Sequence, residues 1–422
     1  MKIGFIGMSH LGICQAIAAA EKGYKVKCFD DNSNKIEQLS KGFIDFFEPN
    51  LDKILKKNKK KIIFVNNLND MKDCDLVFFS KDIPTDNRDK SLYIGIYKTI
   101  NKALIYLNKK TIFIILSQVK PGFTDSIKWN KKNLYYQVET LIFGKALSRA
   151  LKPEQFIVGS IDNKINKKYL KFLKSYKCKI NIMNYRSAEL AKISINLYLI
   201  SSLSFTNSLA ELCEKIDADW SKIRPILKQD KRIGKYAYLN PGLGILSGNL
   251  QRDLQSYKKI LRENDCSLGI ADAWQKNSNY RKNWIHNLLN NELKYFLNKK
   301  IGVYGLTYKK DITILKNSPT ISLIKEFKKT NFNIYDPKVV KNNFGAKNAL
   351  VYNDLANFLK SSDLLIVLTD WDEIKNCKYD TLMNYKGKII IDPYRAIQSK
   401  RFMNKKNIYT LAKKINEKIK FK

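Results

Sequence analysis

Lys192 and Asn196 stand four residues apart in the stretch Ser187–Ile216, SAELAKISINLYLISSLSFTNSLAELCEKI. The stretch holds no Pro or Gly, and apolar residues recur at Leu190, Ile193, Leu197 and Ile200. That spacing predicts a helix, with Ser187 able to cap its start and the Lys192–Asn196 pair on one face. An ammonium and a carboxamide projecting together can hold an alcohol oxygen and stabilise it as it becomes alkoxide-like. On spacing alone the pair also fits an ordinary solvated helix face, so the surrounding chain has to decide.

The elements that would position this pair lie on both sides of it. At 1.5 Å per residue the helix runs ~45 Å, long for a globular protein. It separates two halves that both alternate strand and helix patterns. Its simplest role is a spine joining two domains, with a dimer contact along it.

The first half opens KIGFIGMSHLGICQAIAAAEKGYKVKCFDD. Lys2–Ile6 reads as a strand, 7–12 as a turn, 13–22 as a helix and Lys25–Phe29 as a second strand ending at Asp30. This is a βαβ dinucleotide site. Gly7 permits the tight turn and Gly12 close helix–strand packing. Ser9 replaces the middle glycine, and its hydroxyl could donate to a phosphate. Asp30 is placed to accept from the adenosine ribose, which favours NAD over NADP. Further strands are read at 61–65, Leu76–Ser80, 111–116, Leu134–Gln137 and 156–159. Their loops, at Ile83–Asp86, Ser117–Thr124 and Gln137–Gly144, belong at the carboxyl edge, where parallel sheets bind ligands.

After the spine, 217–298 reads as mostly helical. It is interrupted by a run from Arg232 through Pro241, Gly244 and Asn249 to Asp253, whose glycines mark a loop wrapped closely around something. A second, smaller α/β unit opens at Lys300–Gly305, with a helix beginning at Ser318-Pro319 and strands at 333–335, 364–368 and 388–392. The lysine-rich tail, 411–422, reads as frayed. The expected fold class is α/β, with two Rossmann-like doubly wound domains joined by a long central helix and a helical middle domain. The corresponding boundaries are 1–185, 186–298 and 299–422.

Composition narrows the function classes. At 422 residues and 44% hydrophobic, the chain can bury full-sized cores. It carries 77 basic and 39 acidic residues, a net charge of +38. The lysines are scattered along the whole chain among many Asn and Ile, which fits a compositional bias and not a clustered nucleic-acid footprint. The seven cysteines form no CxxC and no paired spacing, so reduced thiols in a cytoplasmic protein are expected, without disulfide or metal site. Neither a leader segment nor an apolar run of membrane-spanning length is read.

The order of motifs is specific: the dinucleotide turn, AELxKxxxN on the long helix, RIG followed by a glycine-rich run ending in Asp, then GLTYKKD and SP. It resembles the UDP-glucose/GDP-mannose dehydrogenase family over nearly the whole chain. The resemblance implies oxidation of the C6 alcohol of a nucleotide sugar to a carboxylate, with two NAD⁺ and an enzyme-bound thioester. It implies that Lys192 and Asn196 hold the sugar oxygens and that Asp253 orders the water or base. Arg232 would reach into a partner subunit's sugar site, in a homodimer built through the central helix. Glu139, Gly244 and Lys309 would contact the substrate. Ser117, Gln118 and Lys316, the last where the family usually has arginine, would contact the cofactor.

The departures change the expected chemistry. Counting back from Asp253, the family's nucleophilic cysteine falls at Asn249, and the second glutamate of its acidic loop falls at Phe143. Asparagine forms no thioester and phenylalanine moves no proton. Cys266 lies on a different segment and is not expected to stand in. Neither His10, in the phosphate turn, nor His286, on a late helix, is expected to act as a base. The four-electron route should therefore fail, while a two-electron step would keep Lys192, Asn196 and Asp253. The alternatives are a catalytically silent NAD- and nucleotide-sugar-binding homologue with a regulatory role, and a two-electron hydroxyacid dehydrogenase. The second α/β domain disfavours the latter.

Overall fold

The computed structural model describes residues 1–86, 91–312, 315–339 and 345–413, so most of the tail read as frayed lies outside the described residues. The chain divides into two compact units, Met1–Ile195 and Asn196–Lys422.

The first unit is built on an eight-stranded sheet. Its strands are β1 (Lys2–Ile6), β2 (Lys25–Phe29), β3 (Ile62–Val65), β4 (Leu76–Phe79), β5 (Ile112–Ile115), β6 (Leu134–Gln137), β7 (Gln155–Gly159) and β8 (Lys179–Met183). Their spatial order is β3-β2-β1-β4-β5-β6-β7-β8. Every pairing is parallel except β6 with β7. In β4, Leu76 and Phe78 enter one hydrophobic core while Val77 and Phe79 enter another on the opposite face. Ile112 and Ile114 of β5 divide from Phe113 and Ile115 in the same way. Burial on both faces is why these strands read as unbroken apolar runs and not as alternating ones. Helix α1 (His10–Glu21) covers the first face through Ile13, Ala16 and Ile17.

Helix α2 runs from Tyr185 to Ile216, and the boundary between the two units falls inside it. It starts two residues before the expected Ser187. The cap is Asn184, whose side-chain oxygen accepts from the Ser187 N–H at 2.8 Å. A carboxamide earlier in the chain reaches the free amide, so the Ser187 hydroxyl is not needed there. The helix stops where Asp217 takes a left-handed conformation, φ 60°.

The second unit contains helices α3 (Gly248–Glu263), α4 (Gly269–Lys282) and α5 (Pro319–Glu326). Ser318 caps α5, accepting from Ile321 N–H at 3.2 Å, with Pro319 in the first turn, as the Ser-Pro pair predicts. The sheet is six-stranded and all parallel, with strands β9 (Lys300–Tyr304), β10 (Asn331–Tyr335), β11 (Ala349–Tyr352), β12 (Leu364–Val367), β13 (Ile389–Ile391) and β14 (Asn407–Tyr409). The order is β11-β10-β9-β12-β13-β14. The two sheets share one local device. Gly7 N–H donates to Phe29 O at 2.8 Å, and Gly305 N–H to Tyr335 O at 2.7 Å. Met8 N–H then donates to Asp30 Oδ2 at 2.6 Å, and Leu306 N–H to Asp336 Oδ2 at 2.8 Å. Each sheet thus carries the strand-turn-acid arrangement of a doubly wound fold, as the fold class predicts.

The short edge strands β8, β11 and β14 were not read from the sequence. They are half-buried or lie at sheet margins, where the apolar signal is weak. One expectation is corrected. The glycine-rich run is loop only up to Ser247, and 248–253 already belong to α3. Asn249 and Asp253 therefore lie one helical turn apart on α3.

Candidate active site

The dinucleotide turn of the first unit leaves no room for side chains. A Cβ on Gly12 would sit 2.0 Å from Gly7 O, and one on Gly7, at φ +98°, would sit 2.6 Å from the Lys81 backbone. A backbone this closely approached is what a pyrophosphate cradle needs, with α1 directly behind it. Ser9 caps α1: its Oγ accepts from Gly12 N–H at 3.2 Å and donates to Ser80 O at 2.7 Å. The hydroxyl proton expected for a phosphate is therefore occupied, and Ser9 offers a ligand its backbone N–H. Asp30 holds the turn through Met8 N–H and accepts from Asn32 N–H at 3.0 Å. A carboxylate has about four acceptor sites, so ribose hydroxyls still find room on it.

The Ser117 hydroxyl is buried and donates to Lys81 O at 2.6 Å, tying the β5 loop to the β4 loop, with Gln118 next in line. A residue the sequence reading missed secures the same loop from the other side. Glu189, buried on α2, accepts from Gly122 N–H at 2.6 Å and Thr124 N–H at 2.8 Å. Its place in AELxK was visible; its partners, 67 and 65 residues away, were not.

Glu139 follows β6 and is half-buried. It accepts from the Gln15 side chain of α1 and from Thr140 N–H. Burial pushes its carboxyl above the ordinary range, and the nearby Lys192 ammonium is the strongest pull the other way. Glu139 and Lys192 thus interact electrostatically. Phe143, further along this loop, meets the ring of His10 edge-on, with centroids 4.9 Å apart.

In the second unit, the Asn196 side-chain amide donates to the Asp253 carboxylate, and both residues are buried. Arg252 Nε lies 3.5 Å from the other oxygen of Asp253. The glycine-rich loop ahead of α3 is fixed in place. Gly242 N–H donates to Asn207 Oδ1 at 2.8 Å, and Ile245 N–H to Ser278 Oγ at 2.8 Å. Gly244 is required there: at φ +77°, a Cβ would come within 2.4 Å of Ser278 O. Ser247, just before α3, is hydrogen-bonded by Tyr308 of the GLTYKKD segment. Lys309 lies within that segment, next to Tyr308, and the exposed Lys316 follows it. Asn249 is exposed at the start of α3. The side chain of Arg232 is 89% exposed and forked onto Asp230 at 2.6 Å and 3.0 Å.

All seven cysteines are free, and none lies near Asn249 along its own helix. Cys266 follows the end of α3, about 20 Å of helix away from Asn249.

A doubly wound dinucleotide domain, a lysine and a carboxamide on one long helix, and a buried helical aspartate together define an NAD-dependent dehydrogenase. Family comparison agrees. Residues 1–176 match the NAD binding domain of the UDP-glucose/GDP-mannose dehydrogenase family, residues 186–280 its central domain and residues 302–399 its UDP binding domain. The chain belongs to the UDP-glucose/GDP-mannose dehydrogenase family, and its cofactor is NAD. It is 29% identical to a UDP-glucose 6-dehydrogenase of Rickettsia bellii over 415 residues, covering 93% of this chain and 94% of that protein. It is 25% identical to the UDP-glucose 6-dehydrogenase TuaD of Bacillus subtilis, covering 93% and 88%. Among solved structures, a UDP-glucose dehydrogenase of Pyrobaculum islandicum shares the fold with a TM-score of 0.87, at 20% identity and 98% coverage of both chains. No helix among the described residues is long and apolar enough to cross a membrane.

Proposed function

We propose that this chain oxidises an alcohol of a UDP-linked hexose by two electrons and does not form a cysteine thioester. The observation that carries the reading is Asn249, a carboxamide at the start of α3, one turn from the buried Asp253. A thiol there would trap an aldehyde covalently; a carboxamide only hydrogen-bonds to it.

NAD⁺, when bound, supplies the hydride acceptor. The chain's residues do the rest. Gly7, Ser9, Gly12 and Asp30 hold the cofactor, with Ser117, Gln118 and Lys316 as further contacts. Lys192 and Asn196 hold the reacting oxygen, which gains negative charge as its proton leaves. Asp253, fixed by Asn196 and Arg252, orders the polar groups around it. Glu139, Gly244 and Lys309 orient the nucleotide sugar.

The three matched domains support a division of labour at 1–185, 186–298 and 299–422 for cofactor, reaction and nucleotide. Tyr198, Phe205 and Leu212 repeat every seventh residue along α2 and are 67%, 54% and 50% exposed. That stripe supports a homodimer through the central helix, in which the exposed Arg232 serves the partner's site. The unpaired cysteines support a reducing, cytoplasmic setting.

The test counts NADH formed per sugar consumed, with UDP-glucose and UDP-N-acetylhexosamines as substrates. One equivalent and a carbonyl product are expected. Two equivalents with a uronate would sink the reading, as would no NADH from any sugar. The double variant Asn249→Cys, Phe143→Glu should gain uronate formation.

A further inference from the structure

Phe143 occupies the place of the missing loop glutamate, and the ring it touches is an imidazole. His10 opens α1, immediately after the dinucleotide turn. Its ring stacks on Phe46 at 3.9 Å and meets Phe143 edge-on. Its Nε2 lies 3.0 Å from Glu48 Oε2. The Glu48 side chain is 1% exposed and also accepts from Gly144 N–H at 3.0 Å and Leu147 N–H at 3.3 Å. One buried carboxylate thus fastens the loop after β6 and orients the imidazole.

That geometry selects a tautomer. An ionised carboxylate only accepts hydrogen bonds, so Nε2 carries the proton and Nδ1 is left with a lone pair. Among the described residues nothing bonds to Nδ1, and the side chain remains 14% exposed. The position also fits a reacting centre. His10 follows β1, and Asp82, within electrostatic reach of it, follows β4. β1 and β4 are neighbours at the point where strand order reverses, the crevice in which such sheets bind their ligands.

We propose that His10, oriented by Glu48, is the proton acceptor of the alcohol oxidation, replacing the loop carboxylate lost at Phe143. The substrate O–H bond breaks and its proton passes to Nδ1. The C–H bond breaks with its electron pair going to the oxidised nicotinamide, and a carbon–oxygen double bond forms. The charged groups facing the ring are Glu48, Asp45 and Asp82, all of which favour the imidazolium. Burial outweighs them and holds His10 below the ordinary value of 6.5. The helix N-terminus acts in the same direction, so the ring is neutral and able to accept a proton at pH 7.

The proposal rests on the oxidative reading above, so its test has two arms on the full chain. The first needs no sugar: NAD⁺ and NADH binding by calorimetry from pH 5.5 to 8. An imidazolium beside the nicotinamide repels its cation, so NAD⁺ should weaken at least about threefold more than NADH toward pH 5.5. His10→Gln, which keeps a donor for Glu48, should abolish that difference. A ratio of the two affinities that does not change with pH overturns the proposal. The second arm is NADH formation from UDP-glucose. His10→Gln should lower kcat about 10²–10⁴-fold, leave the KM for NAD⁺ in place and remove the rise of kcat/KM through the imidazole titration. NADH from the native chain and equally from His10→Gln overturns this proposal alone; no NADH from the native chain overturns the oxidative reading with it.

Discussion

The Asn196 side-chain amide donates to the buried carboxylate of Asp253, joining α2 to α3. The two residues are 57 apart in sequence, and each was singled out for a different reason. The bond ties the aspartate to the Asn196 member of the helix pair. Asn196→Ala removes a donor from a buried carboxylate and should cost about 1–3 kcal/mol, read by urea denaturation. Unchanged stability would show that the carboxylate does not depend on this donor.

Gly12 is the point where the dinucleotide turn has no tolerance. Gly12→Ala forces a methyl group against Gly7 O and the Ser80 hydroxyl. NAD⁺ affinity should fall by more than about tenfold, measured by calorimetry, because the pyrophosphate depends on that close approach. Native affinity in the variant would mean that the cofactor does not use this turn.

Asp392 gives the second unit a pH dependence. It is buried and accepts from Ala396 N–H and Ile397 N–H, both at 2.9 Å. Burial still dominates and pushes its carboxyl up to about 6. The unfolded chain releases this proton at about 3.9. Between those values the folded state binds more protons, so stability falls as pH rises and is lowest above 6. The effect on the native chain relative to Asp392→Asn should reach about 2 kcal/mol between pH 4 and 7.5. Denaturant midpoints at the two pH values measure it, and parallel curves for the two proteins would refute it.

Phe205 lies at the centre of the exposed stripe on α2. Phe205→Asp places a charge where the proposed dimer buries an aromatic ring. Sedimentation should shift from dimer to monomer without loss of helical circular dichroism. A dimer that survives the change would put the interface elsewhere.

Much of this protein was legible from residue order alone, because the forces concerned are local. Apolar runs in β1, β4, β5 and β12 mark strands buried on both faces. Gly7 and Gly12 mark a turn that admits no side chain. The absence of Pro and Gly from 187 to 216 marks a long helix. Residue identity likewise determined that Asn249 cannot act as a thiol. Helix boundaries were less legible, because a cap depends on which nearby side chain reaches a free N–H, and Asn184 reached it in place of Ser187.

Only the tertiary structure could join groups distant in sequence. Glu48 and His10 are 38 residues apart, Glu189 and Gly122 are 67 apart, and Gln15 and Glu139 are 124 apart. No periodicity connects such pairs, since hydrogen bonds between buried groups are decided by where the sheet delivers each loop. Residue order thus placed an asparagine at 249 and a phenylalanine at 143. Folding decided that the His10 imidazole stands against Phe143.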